Sequence, residues 1–195
     1  MDRLLPLVAF SFVSSVTPGP NNVLLWASGA EFGLRRTLRH VVGTAFGIGA
    51  MALAVAAGLG TLIAGVPELA VAMRVAGSAY LLFLAYQIAG VHGLARAEVA
   101  RPLGLRQAAA LQVINPKAWI FAISAVTTFR PGDLPVASGS LFVAATMMAV
   151  IVPTAALWAG AGGAIGRLLT DERRRRAMSL VLAALVVATV ASVWI

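Results

Sequence analysis

The sequence contains no cysteine and a single lysine. The first absence excludes disulfides, thiolate metal sites and thiol redox chemistry. Charge is scarce too: Asp, Glu, Lys and Arg make up 11% of the 195 residues, where a soluble domain carries about a quarter. Twenty-two charged groups cannot cover a soluble surface, and they are clustered, leaving long uncharged stretches between them. No Gly-x-x-x-x-Gly-Lys-Ser/Thr run is present, which excludes ATP binding by that loop. Buried acid/base pairs and partnered nucleophiles are also missing, so nothing points to an enzyme or a resident cofactor.

What is abundant is apolar. Hydrophobic residues form 60% of the chain and the mean hydropathy is +0.91. A hydrocarbon core about 30 Å thick takes roughly 20 apolar helical residues to cross. Apolar stretches of about that length lie near 4–28, 40–64, 69–91, 107–129, 136–159 and 177–195. The expectation is an all-α integral membrane protein with six transmembrane helices, or five if the first or last fails to cross. The apolar start leads into Thr17-Pro18-Gly19-Pro20 rather than a small-x-small cleavage site, so it reads as a retained helix. For the last helix, Thr170 is the expected N-cap.

The net charge of +8 is carried by arginines between the apolar spans, not by a basic face interleaved with aromatics. That distribution fits anionic lipid and excludes nucleic acid as a partner. Eleven arginines fall in the loops after spans one, three and five, and three on the other side. Excess arginine in short loops marks the cytoplasm, which puts both termini outside it. His40 and His92 fall at loop ends and are expected to be solvated, and Glu31 and Glu98 lie among the loop arginines. Gly43-x-x-x-Gly47 and Gly162-x-x-x-Gly166 allow close helix approach. Contact within one chain is the first expectation for them, and a homodimer seam the second.

Two places break the apolar pattern. Thr17-Pro18-Gly19-Pro20-Asn21-Asn22 interrupts span one, and Asn115-Pro116-Lys117, with Gln112 one turn earlier, interrupts span four. Proline removes an amide donor and clashes with the preceding turn, so each helix must kink or unwind. Pro18 and Pro116 stand 98 residues apart, each in the first helix of a three-helix set. An odd number of crossings inverts the second set, and matched interruptions in inverted repeats point to a transporter's midplane site. The chain therefore divides into a first repeat (about 1–91), a cytoplasmic linker (about 92–106) and a second repeat (about 107–195), forming a single membrane domain. Exposed amides after Pro20 and Pro116 suit a carboxylate, the Asn side chains suit a zwitterion, and Lys117 adds a cation. A charge at that depth is costly and faces the protein interior. Tyr80, Tyr86 and Gln87 are secondary candidates for a path.

The residues in these stretches resemble the lysine-exporter (LysE/RhtB) superfamily, in its homoserine/threonine-type efflux branch. The resemblance rests on Thr17-Pro18-Gly19-Pro20-Asn21, on Gly33-Leu34-Arg35-Arg36 leading to Gly43 and Gly47, on Gly77-x-x-Tyr80-Leu81 and on Asn115-Pro116-Lys117-Ala118. Arg35 to Arg39 and Thr127-Thr128-Phe129 look similar to the cysteine and O-acetylserine exporters. What this implies is a bacterial inner-membrane exporter of amino acids or close derivatives, driven by an ion gradient. Many members carry Asp where this chain has Asn21. Divalent metal export, which also occurs in the superfamily, is the alternative. It would need carboxylates, histidines or thiolates inside the spans, and none is expected there.

Overall fold

The computed structural model describes residues 3–89, 102–168 and 171–194. His92, Arg96, Glu98, Arg101 and Thr170 lie outside the described residues. Those described form helices and connecting turns.

Helix α1 (Leu4–Val16) stops where Pro18 removes a backbone donor, and Gly19 is extended before α2 (Pro20–Phe32) begins with proline at its first position. The expected interruption of span one is thus a complete break. Gly33, at φ +78°, ends α2 in a conformation that only glycine adopts without strain. Helix α3 (Leu34–Ala54) follows at once, then a π-helical turn at Val55–Leu59 that contains Gly58 at φ +107°. The second span is therefore not a uniform helix from 40 to 64. It begins six residues earlier and is interrupted at Gly58 before α4 (Gly60–Gly65) and α5 (Pro67–Ala89).

The second half repeats the pattern. Helix α6 (Leu105–Val113) and α7 (Pro116–Phe129) meet at a 77° bend, with Pro116 again at the first position of the second helix. Helix α8 (Val136–Leu168) runs for 33 residues, and α9 (Glu172–Trp194) closes the fold. Asp171 accepts a hydrogen bond from the Arg173 amide at 3.2 Å and supplies the cap expected of Thr170.

Among the described residues, Leu34–Leu59 and Val136–Gly166 are long and apolar enough to cross a membrane, and the bent pair α6–α7 makes a third such span if counted as one. Helices α1 and α2 have thirteen residues each, too few for either to cross alone.

Helix α8 is the hub, packed against α1, α2 and α3, while α6 lies on α3 and α5 on α9. Two apolar cores result among the described residues. The larger includes Leu7, Leu25, Val41, Ile48, Met147 and Ile151; the smaller joins Val23, Leu81, Ile88, Leu182 and Val186. Helices surrounded by lipid gain little from apolar burial against one another, so close contact of small residues matters more. A Cβ on Gly162 would lie 2.1 Å from the Trp26 carbonyl oxygen, and one on Gly29 would lie 1.9 Å from that of Ala159. On Gly43 and Gly47 it would lie 2.4 Å from Leu105 O and 2.8 Å from Ala109 O of α6. Both Gly-x-x-x-Gly motifs are occupied by contacts within the chain.

Candidate functional site

Breaking a helix leaves carbonyls without partners at the end of the first segment and amides without partners at the start of the second. The two breaks satisfy their carbonyls by side chains. At the first, Asn22 Nδ2 donates to the carbonyls of Ser15 (2.8 Å) and Thr17 (2.9 Å). The Lys117 ammonium, arriving from the other break, donates to Thr17 O and to Pro18 O (3.3 Å). At the second, Trp119 Nε1 donates to Val113 O at 2.7 Å.

The amides have no such closure. The starts of α2 and α7 both border a small cavity of about 50 Å³, open on one side and lined by polar and apolar side chains. Seven of the ten residues singled out in the sequence line it: Gly19, Pro20, Asn21, Asn22, Gln112, Asn115 and Lys117. Thr17 and Pro18 touch Lys117 through their carbonyls instead, and Pro116 packs where Gly77 leaves room for its ring. The rest of the wall comes from residues not anticipated: Ser14 and Ser15, Thr44 and Ile48, Ala118 and Phe121, and Ile151, Thr154 and Ala155. Tyr80 packs against the smaller core and Tyr86 is exposed; neither lines the cavity.

Behind the cavity a polar knot joins three helices. Gln112 Nε2 donates to Asn21 Oδ1 at 3.1 Å and to Ala108 O at 3.0 Å. His40 Nε2 and Thr44 Oγ1 each lie 3.2 Å from the same Asn21 oxygen, and Asn115 Nδ2 donates to Gln112 Oε1 at 3.3 Å. The expectation that His40 is solvated is incorrect: it is 0% exposed. Helix α3 starts at Leu34, so His40 stands two turns inside it. Its spacing of i, i+3, i+4 and i+7 with Thr37, Val41 and Thr44 sets it on the buried face, while Arg35, Arg36 and Arg39 stay exposed. That period is legible in the sequence; proximity to the arginines concealed it. The statement that no histidine lies within a span falls with it.

Residues 12–193 match the model of the LysE type translocator family. The chain belongs to this family. Among curated relatives, it is similar to a cysteine/O-acetylserine efflux protein of Klebsiella pneumoniae, at 32% identity over 63% of this chain and 62% of that protein. Proteins with the same name from Escherichia coli (strain K12) and Shigella sonnei are 28% identical, over 91% of this chain and 90% of theirs. No solved structure matches the chain. The LysE type translocator family places this chain among membrane transport proteins, and its relatives are efflux proteins. In this LysE chain the two motifs that carry the resemblance, Thr17 to Asn22 and Asn115 to Lys117, meet at one cavity although nearly a hundred residues separate them.

Proposed function

We propose that this chain exports small neutral amino acids or their close derivatives, cysteine and O-acetylserine among them, from the cytoplasm of a bacterium across its inner membrane, driven by an ion gradient. The observation that carries this reading is the convergence of two helix starts and the Lys117 ammonium on one cavity. Helix starts carry partial positive charge and free amide donors, which favour a carboxylate. The hydroxyl oxygens of Thr44 and Thr154 and the carboxamide of Asn115 offer acceptors to the ammonium of a zwitterion. Ile48, Phe121 and Ile151 give a short apolar wall for a small side chain.

Six spans arranged as two inverted three-helix repeats fit the order of elements. Each half opens with a broken pair, α1–α2 or α6–α7, continues with a long helix, α3 or α8, and ends with a 23-residue helix, α5 or α9. Divalent metal export finds less support. One imidazole lies behind the cavity, no three His, Cys, Asp or Glu side chains gather among the described residues, and the ammonium would repel a cation.

Metabolite profiling of the medium tests the proposal. Overexpression should raise extracellular cysteine or O-acetylserine and increase tolerance to toxic neutral amino-acid analogues, with manganese and cadmium tolerance unchanged. Metal tolerance without amino-acid release would reject it.

A further inference from the structure

His40 takes no part in lining the cavity, and nothing in the proposed transport reaction yet uses it. Its surroundings specify its chemistry through a chain of hydrogen bonds that begins at the main chain. The carbonyl of Ala108 can only accept, so the Gln112 atom facing it is the amide nitrogen. That nitrogen also faces Asn21, so the Asn21 atom turned toward it is the oxygen, Oδ1. His40 faces the same oxygen and must therefore donate to it from Nε2. The Thr44 hydroxyl has one hydrogen and a second acceptor in the His40 carbonyl at 3.0 Å. Two lone pairs of the Asn21 oxygen are then matched by two donors, Gln112 Nε2 and His40 Nε2. The Asn21 Nδ2 group has no protein partner among the described residues, and Asn21 borders the cavity.

We infer that His40 is a positioning residue for the substrate site: with Gln112 it locks the Asn21 side chain so that its oxygen faces the protein and its NH2 group faces the cavity. This inference rests on the exporter reading above. It assigns Asn21 the role of a donor to the substrate's carboxylate, beside the start of α2. An asparagine free to turn over would present an acceptor to that carboxylate half the time, and repel it. The lock acts through the neutral imidazole, whose Nδ1 is left buried without a partner. Among the described side chains, the charged groups on the elements packed against α3 are Glu31 on α2, Arg106 on α6 and Lys117 on α7, and none of them hydrogen-bonds to the imidazole; the Arg167 side chain on α8 lies outside the described ones.

The test uses the full chain in proteoliposomes, with radiolabelled cysteine and O-acetylserine. Loss of one hydrogen bond that orients a ligand group corresponds to a roughly tenfold weakening. His40→Leu should raise KM by that order with the maximal rate retained. His40→Gln, which keeps a donor, should stay within about threefold of the wild type. In an Asn21→Ala background, His40→Leu should change KM no further, because its effect passes through Asn21. An equal loss in His40→Gln and His40→Leu, or an undiminished effect in the Asn21→Ala background, would overturn the assignment. A readout that needs no transport accompanies these. In a His92→Gln protein, His40 is the only imidazole, and 15N NMR should show hydrogen on Nε2 with a signal displaced by Asn21→Leu. A signal indifferent to Asn21→Leu would also overturn the inference. Wild-type protein that moves neither amino acid would instead defeat the exporter reading, with the NMR comparison still deciding the His40–Asn21 bond.

Discussion

The Lys117 side chain reaches back to the end of α1 and donates to the main-chain oxygen of Thr17, a hundred residues earlier in the sequence. The ammonium thus ties the two helix breaks together as well as facing the cavity. An ammonium has three donors, and Thr17 O and Pro18 O take two of them, leaving one for a ligand. Gly19 sits directly beneath: a Cβ there would lie 2.9 Å from Lys117 Cδ. The Lys117 charge is held in place by carbonyls that the break itself sets free.

Lys117→Met should abolish transport and also lower the melting temperature of the substrate-free protein modestly, because Pro18 O loses its side-chain donor while Thr17 O keeps Asn22. Thr17 and Pro18 are exposed, so the loss should be near the net worth of an ordinary hydrogen bond, about 0.5–1.5 kcal/mol. Lys117→Arg keeps a charge and donors and should retain more stability than Lys117→Met. Transport by Lys117→Arg then reports whether the group must release a proton, since arginine does not. Thermal unfolding and liposome uptake, measured on the same preparations, separate the two effects. Wild-type stability and export in Lys117→Met would remove both roles.

Asn21 and Asn22 are neighbours with different roles. Asn22 spends its NH2 group on Ser15 O and Thr17 O. Asn22→Asp would set a carboxylate against two carbonyls and should destabilise the protein without any substrate present, by roughly 2–3 kcal/mol from two lost hydrogen bonds and repulsion. Unfolding monitored by tryptophan fluorescence checks this, and an unchanged melting point would show that the first break is held some other way.

The contact between α2 and α8 leaves no room for side chains at its glycines. Gly162→Val should cost about 1–3 kcal/mol or more, since the neighbouring atoms are main chain and cannot turn aside. Gly160→Ala, two residues away with nothing within 4 Å of its added Cβ, is the control and should be near neutral. If Gly162→Val changes only the oligomeric state and leaves the monomer's stability intact, the motif is a seam between copies.

Both termini are expected outside the cytoplasm, from the arginine asymmetry of the connections. The chain lacks cysteine, so single cysteines can be introduced at Arg3 and Trp194 and treated with an impermeant maleimide. Labelling in intact cells is the expected result. Labelling confined to inverted vesicles would reverse the topology.

The sequence alone carried the solvent and the interruptions. Long apolar runs with few charges dictate helices in lipid, because no other open structure satisfies the backbone there. Pro18, Pro20 and Pro116 dictate where those helices break, since a missing donor and a ring clash are local properties. The identity of the polar residues beside the breaks was equally legible. What the sequence could not supply was partnership. Gln112 and Asn115 were candidates for their amides, but only packing of α6 on α3 turns Gln112 toward Asn21 and ties Asn115 to it. His40 looked like a loop residue because charge neighbours it in sequence, whereas rotation of α3 about its axis sends Arg39 outward and His40 inward. Asn22, read as a ligand group, is committed to carbonyls that no local rule would choose. Lys117 was singled out for its depth, yet the oxygens of Thr17 and Pro18 reach it only because two distant breaks meet across the bundle. Local chemistry determines where a helix must stop; the close approach of glycine-lined helices decides which loose ends face one another.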